Sequence, residues 1–138
     1  MIYFQYTNIN KIEILELLSS LEYLNFNNNN PLLKRLPELP SNLKNLYCIN
    51  NLLLEKLPKL PISIKSIHFN NNLLLKEIPE LPSSLKRLYC YYNPLISRLL
   101  ELPSNLEQLY CKNNPLLTTL PRSIIHCKKI YNHKNILI

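Results

Sequence analysis

Cysteine and histidine are the side chains of this sequence with the most chemical range. Cys48, Cys90, Cys111 and Cys127 would offer thiolates to a metal or an electrophile, and His68, His126 and His133 would offer imidazoles to a metal or a proton relay. Their spacing argues against both uses. His126, Cys127 and His133 fit no tetrahedral ligand pattern, and adjacent residues such as His126 and Cys127 normally diverge. Cys48, Cys90 and Cys111 recur at one position of a repeat, with Phe69 at that position in the remaining copy, and Cys127 stands where Leu43, Leu85 and Leu106 stand. Small core residues account for all four. A Cys90–Cys111 disulfide would need Cβ atoms about 3.8 Å apart, closer than in-register parallel strands bring them. With no glycine there is no glycine-rich phosphate loop, and no nucleophile has a base placed beside it by a recognisable motif. The chain reads as non-enzymatic, with no metal and no cofactor.

The frame that places these residues is a block of 21. It reads LPELPSNLKNLYCINNLLLEK from Leu36, LPKLPISIKSIHFNNNLLLKE from Leu57, IPELPSSLKRLYCYYNPLISR from Ile78 and LLELPSNLEQLYCKNNPLLTT from Leu99. Counted from the first residue of each block, apolar side chains fall at positions 1, 4, 8, 11, 13 and 18, and asparagine at position 16. In the first block these are Leu36, Leu39, Leu43, Leu46, Cys48 and Leu53, with Asn51. The run Leu43 to Leu53 matches LxxLxLxxN/CxL, the signature of leucine-rich repeats, and the match recurs in the next three blocks.

Self-similarity at this period predicts a leucine-rich repeat solenoid, in which each unit buries its apolar face against its neighbours. The alternation Leu46-Tyr47-Cys48 predicts a short strand with its first and third side chains inward. Copies stack into a parallel β-sheet on the concave face, with strands about 4.8 Å apart. After each strand the chain turns away and leaves buried backbone groups to be satisfied. An asparagine carboxamide both donates and accepts, so Asn51, Asn72, Asn93, Asn114 and Asn135 are expected to form a ladder along the turns. The proline pairs Pro37 with Pro40, Pro58 with Pro61 and Pro79 with Pro82 exclude a regular helix. They predict a convex side of extended, polyproline II or 3₁₀ conformation, and little α-helix. The absence of glycine beside 11 prolines implies turns built from proline and asparagine rather than from residues needing the positive φ that glycine supplies.

One domain over 1–138 accommodates repeats at about 15–35, 36–56, 57–77, 78–98, 99–119 and 120–138, with 1–14 as a degenerate N-terminal copy or cap. In the upstream unit Leu21, Leu24, Phe26 and Asn29 or Asn30 fit with one inserted residue. Ile2, Phe4 and Asn8 outline a truncated seventh copy. The last unit opens at Leu120-Pro121, and Ser123 departs there from the usual apolar position. Neither end carries an evident polar cap, so unpaired strand edges would be open to another chain.

Residues between the inward strand positions point out of the sheet. The central outward column is Tyr3, Asn25, Tyr47, His68, Tyr89, Tyr110 and Tyr131. Tyr23, Asn45, Ser66, Arg87, Gln108 and Lys129 precede it, and Asn27, Ile49, Asn70, Tyr91, Lys112 and His133 follow it. Tyrosine and arginine are enriched at binding hot spots because they join a rigid apolar body to a polar tip. Tyr47, His68, Arg87, Tyr89, Tyr91, Tyr110, Lys112, Lys129 and Tyr131 are therefore the expected partner-binding residues. Cross-strand aromatic stacks also stabilise a sheet whatever it binds, and that reading stays open.

The formal net charge is +7. Lys44, Lys65, Lys86 and Lys128 share the position just before the strand, and Glu38, Glu80 and Glu101 share one between the prolines, which predicts a basic rim and a partly acidic back. A basic aromatic face would also suit nucleic acid, through phosphate contacts and base stacking, although no nucleic-acid-binding motif is present. No apolar stretch is long enough for a membrane span. The N-terminus lacks a basic region followed by an apolar core, there is no Asn-x-Ser/Thr sequon, and the thiols read as reduced. The expected location is intracellular and cytoplasmic.

The segments LPELPSNLKNLYCINN and LPELPSSLKRLYCYYN resemble the short LPxLP class of leucine-rich repeats, known from bacterial type III effectors and giant-virus proteins. The resemblance covers about Leu15 to Ile138. It implies a concave sheet that binds proteins, in the host cytoplasm for a viral or effector protein. Some members append a ubiquitin-ligase domain with a catalytic cysteine, which nothing here matches, because every cysteine lies at a repeat-core position. Phe69-Asn70 and Phe26-Asn27 also resemble FNIP-type repeats, which rank second because the rest of that pattern is missing. The leading expectation is a protein-binding module. The alternatives are a self-assembling module pairing as a homo-oligomer through its ends, and a nucleic-acid binder.

Overall fold

A computed structural model of the chain describes residues 20–27 and 33–132. Six strands of three residues each run in chain order: β1 (Tyr23–Asn25), β2 (Asn45–Tyr47), β3 (Ser66–His68), β4 (Arg87–Tyr89), β5 (Gln108–Tyr110) and β6 (Lys129–Tyr131). They form one parallel sheet in the order β1-β2-β3-β4-β5-β6, the arrangement of a β-solenoid with almost no helix. Sequence-adjacent strands pair without a crossover because each circuit, of 22 residues from β1 to β2 and 21 thereafter, returns the chain one strand spacing along the axis. The candidate seventh copy at Ile2, Phe4 and Asn8 lies outside the described residues.

The strands form where the sequence alternates. Leu46, Ile67, Leu88 and Leu109 sit at strand centres with no exposure, and Leu43, Ile64, Leu85 and Leu106 enter the core just before each strand. Cys48, Phe69, Cys90 and Cys111 follow each strand inside the same continuous cluster, which runs from Leu24 to Ile124. Burying one leucine in this way contributes about 1.5–3 kcal/mol. On the opposite side the LPxLP segments carry neither helix nor regular strand. Each ends in a turn closed on the second proline, with Leu43 N–H donating to Pro40 C=O at 3.1 Å and Leu85 N–H to Pro82 C=O at 3.0 Å. Proline suits this position because it is the carbonyl that is needed there. Ser63 and Ser84 hydroxyls tie these turns to the preceding repeat, Ser84 donating to Ile64 C=O at 2.7 Å.

Three features depart from the sequence reading. The apolar residue that returns to the core after the asparagine is at position 19, not 18. Leu54, Leu75, Ile96 and Leu117 are buried, while Leu74 and Leu116 are 36% and 51% exposed. The cause is a tight turn in which the position-19 N–H bonds back to the asparagine carbonyl, as in Leu54 to Asn51 at 3.1 Å and Leu117 to Asn114 at 3.0 Å. That turn spends one more residue outside than the signature allows for.

The chain does use positive φ despite having no glycine: Asn50, Asn71, Tyr92 and Asn113 adopt φ of 61°, 57°, 58° and 59°. Leaving the sheet sharply requires the left-handed conformation, which asparagine tolerates better than most residues. For tyrosine it costs about 1–2 kcal/mol.

In the last unit a 3₁₀ helix, Arg122–His126, replaces the extended segment. It buries Ile124 in place of the apolar residue expected at position 123, and frees the Ser123 hydroxyl to accept from Leu102 N–H at 2.9 Å.

Candidate functional site

In-register pairing places Tyr47, His68, Tyr89, Tyr110 and Tyr131 opposite one another on successive strands. Their rings stack continuously. Centroids are 4.5, 4.1, 4.6 and 4.1 Å apart, with planes inclined by 20°, 9°, 17° and 11°. These separations are close to the strand spacing of about 4.8 Å, so the backbone itself sets the stack. Each internal ring gives both faces to its neighbours and turns an edge outward.

The polar groups of the stack are partly committed. Tyr89 donates its hydroxyl to Gln108 Oε1 at 2.9 Å. Tyr110 is held above the usual phenol range, first through its hydrogen bond with Tyr131. Burial between two rings lowers His68 to about 4, with a smaller push from the Arg87 charge. Its Nε2 lies 3.2 Å from Ser66 Oγ. The imidazole is neutral near pH 7 and serves as a packed ring rather than a proton carrier.

Cations flank the stack. Arg87 and Lys129 precede it on β4 and β6, and Lys112 follows it, with Nζ 5.8 Å from the Tyr131 ring centroid, within cation–π reach. All three are exposed, and none forms an ion pair among the described residues. The rim is less basic than its lysines alone imply, because Glu22 and Glu107 occupy the same column. Lys44 pairs with Glu22, and Lys86 with Glu107 at 3.2 Å. The hydrogen bond and charge of Lys86 hold the Glu107 carboxyl below its ordinary value. The charges of Lys128 and Arg87 act on Glu107 in the same direction more weakly, and Lys65 forms no ion pair among the described residues.

Two residues of the outward columns are not available to a partner. Ser66 and Asn70 are 2% and 1% exposed. Asn70 Oδ1 accepts from Tyr91 N–H at 3.2 Å, as Asn27 Oδ1 accepts from Ile49 N–H at 2.8 Å, so these side chains hold the backbone as it leaves the sheet. At position 16 the Asn72, Asn93 and Asn114 side chains do the same one turn further on, whereas the buried Asn51 side chain has no hydrogen-bond partner among the described residues. Asn51, Asn72 and Asn93 N–H groups donate to Oδ1 of Asn72, Asn93 and Asn114 at 3.0, 3.0 and 2.7 Å. The Nδ2 of Asn72, Asn93 and Asn114 each reach the main-chain carbonyl of Cys48 or Cys90 at 2.8 Å. Tyr3, His133 and Asn135 lie outside the described residues.

Tyr91 packs edge-on against Tyr92, with centroids 5.7 Å apart and planes at 75°. Sequence reasoning passed over Tyr92, which is 53% exposed. Its signal was present in the aligned blocks, where Asn50, Asn71 and Asn113 hold the same position.

The thiols contribute nothing to this face. Cys48, Cys90 and Cys111 are buried, and burial pushes the first two well above the ordinary thiol value and Cys111 to about 12. Protonated thiols of this kind are poor nucleophiles and poor ligands. Among the described residues no three His, Cys, Asp or Glu side chains gather as a metal site, and no helix is long and apolar enough to cross a membrane. No protein-family model matches the chain, and no curated protein matches its sequence.

Proposed function

We propose that the chain is a non-enzymatic, intracellular binding module of the leucine-rich repeat kind, and that it holds a partner protein on the outward face of its sheet. The observation that carries this reading is the stack from Tyr47 to Tyr131 with Arg87, Lys112 and Lys129 beside it, exposed and outside any ion pair among the described residues. A sheet needs cross-strand packing on this face but gains nothing from leaving cations unpaired next to it. Rigid aromatic edges and mobile cations together suit a protein surface with carbonyls, hydroxyls and carboxylates.

The stack also weighs against nucleic acid. Centroid separations of 4.1 to 4.6 Å leave no gap for a base between rings, so the sequence-tolerant stacking used by single-strand binders would require the ladder to open. The test is a partner affinity measured for the wild type and for Tyr89→Ala with Tyr110→Ala. Circular dichroism and the urea midpoint establish that the double variant is folded. A loss of at least about tenfold supports the reading; unchanged affinity in the folded variant rejects it.

A further inference from the structure

Turn position 15 shows a pattern that stability alone does not explain. Asn50, Asn71 and Asn113 occupy it in three repeats, all left-handed, and Asn71 Nδ2 donates to Asn50 Oδ1 at 2.5 Å. An outer asparagine ladder thus begins along the rim of the sheet, and Tyr92 interrupts it. The same backbone is imposed on Tyr92, whose N–H donates to Lys112 C=O at 3.1 Å while Asn71 N–H takes Tyr91 C=O at 3.0 Å. Asparagine at 92 would relieve the left-handed strain and put an amide within the reach of Asn71 Oδ1. Tyrosine does neither. A residue that breaks a local rule and stays exposed is the kind expected where function overrides folding.

We propose that Tyr92 is an aromatic anchor for an acidic segment of a partner protein. It extends the binding face past the sheet edge, and the proposal rests on the reading that this face binds protein. Tyr91 braces the ring edge-on, which limits its rotamers and lowers the entropy lost on binding. The charge of the occupant follows from the surroundings. Lys112 shares the column of Tyr91 on the neighbouring repeat, is exposed, and forms no ion pair among the described residues. A segment bearing aspartate or glutamate would supply the counter-charge that Lys112 lacks, with an apolar neighbour received by the Tyr92 ring.

The experiment has two arms. In urea denaturation, Tyr92→Asn should raise the midpoint, since it restores the residue used by the other repeats; a lower midpoint overturns the premise that tyrosine is held there at a loss. In the second arm, displayed random twelve-residue peptides are selected on the wild-type protein, and the enriched peptides are synthesised and titrated against variants. The expected result is enrichment of aspartate and glutamate, with binding at least about tenfold weaker to Tyr92→Asn and largely retained by Tyr92→Phe. Enriched peptides without acidic residues, or equal affinity for Tyr92→Asn, overturn the anchor. If Tyr92→Asn binds normally while Tyr89→Ala with Tyr110→Ala does not, the anchor falls and the sheet-face reading stands. If no peptide is enriched, or neither variant loses affinity, both fall.

Discussion

Replacing Asn93 by alanine tests whether the inner asparagine ladder holds the repeats together. The Asn93 side chain is fully buried and works in two directions. Its Oδ1 accepts from Asn72 N–H at 3.0 Å, and its Nδ2 donates to Cys90 C=O at 2.8 Å and to Tyr91 C=O at 3.3 Å. The carbonyls survive its loss, because Asn114 Nδ2 also reaches Cys90 C=O at 2.8 Å and Asn71 N–H reaches Tyr91 C=O at 3.0 Å. The Asn72 N–H has no such reserve, and an orphaned buried donor costs about 1–3 kcal/mol. Losing the donated bonds adds about 1 kcal/mol. Asn93→Ala should therefore destabilise the protein by about 3 kcal/mol, seen as a fall in the urea midpoint at constant m-value by far-UV circular dichroism. Asn93→Asp provides a sharper comparison, because it keeps the acceptor for Asn72 N–H and loses both donors. It should be worse than alanine at pH 7, where a buried carboxylate would face two carbonyl oxygens, and should recover as the pH falls and the carboxyl gains a proton. A loss below about 1 kcal/mol for Asn93→Ala would refute the reasoning, since it would mean that the buried N–H groups find other partners.

The position of the returning core residue is tested by a pair of variants: Leu75→Ala, at no exposure, should cost about 2–5 kcal/mol, and Leu74→Ala, 36% exposed, under about 1 kcal/mol; the reverse order would restore the signature's register. His68 should make stability fall in acid. The unfolded side chain titrates at its ordinary 6.5 and the folded one at about 4, so the unfolded state takes up the proton first. The stability contributed by the neutral ring is fully present above about pH 6.5 and is lost as the pH falls through about 4. Full linkage would amount to about 3 kcal/mol, which solvent screening at a half-exposed ring reduces to about 1–2 kcal/mol. His68→Phe should lack this component in urea titrations at pH 7.5 and 4, and an unchanged acid sensitivity would contradict it. Toward an aromatic disulfide reagent, Cys127, the one half-buried thiol among four, should react first, and Cys48, Cys90 and Cys111 only on unfolding; rapid native reaction of several thiols would contradict the core packing.

The sheet was legible because alternation at Leu46-Tyr47-Cys48 and its copies repeats at a constant interval, and a constant interval fixes parallel register. The aromatic column followed from the same arithmetic. The turn beyond it did not. Leu52, Leu53 and Leu54 are consecutive leucines, so hydrophobicity alone cannot distinguish which one returns inside, and a single backbone hydrogen bond from Leu54 to Asn51 decides it. The left-handed turns were hidden by the missing glycine, since Asn50, Asn71 and Asn113 read equally well as ordinary loop residues. Ser123 looked like a flaw in the last repeat until the 3₁₀ turn shifted the core position to Ile124. On the outward sheet face, residue types marked the tyrosines and cations. The pairing of Lys44 with Glu22 and of Lys86 with Glu107 depended on which side chains meet across strands. The burial of Ser66 and Asn70 depended on hydrogen bonds that residue type alone does not specify.

If the outward sheet face receives a partner, its aromatic rings must respond to binding. The most direct measurement is a titration of the protein, carrying ¹³C-labelled tyrosine rings, with a selected acidic peptide, each ring resonance being assigned by substitution. Binding on the sheet face should shift the rings of Tyr47, Tyr89, Tyr110 and Tyr131 together, with a common saturation curve. Unmoved tyrosine rings on the sheet, with the peptide bound instead along the proline-rich side near Ile62 and Pro79, would contradict it.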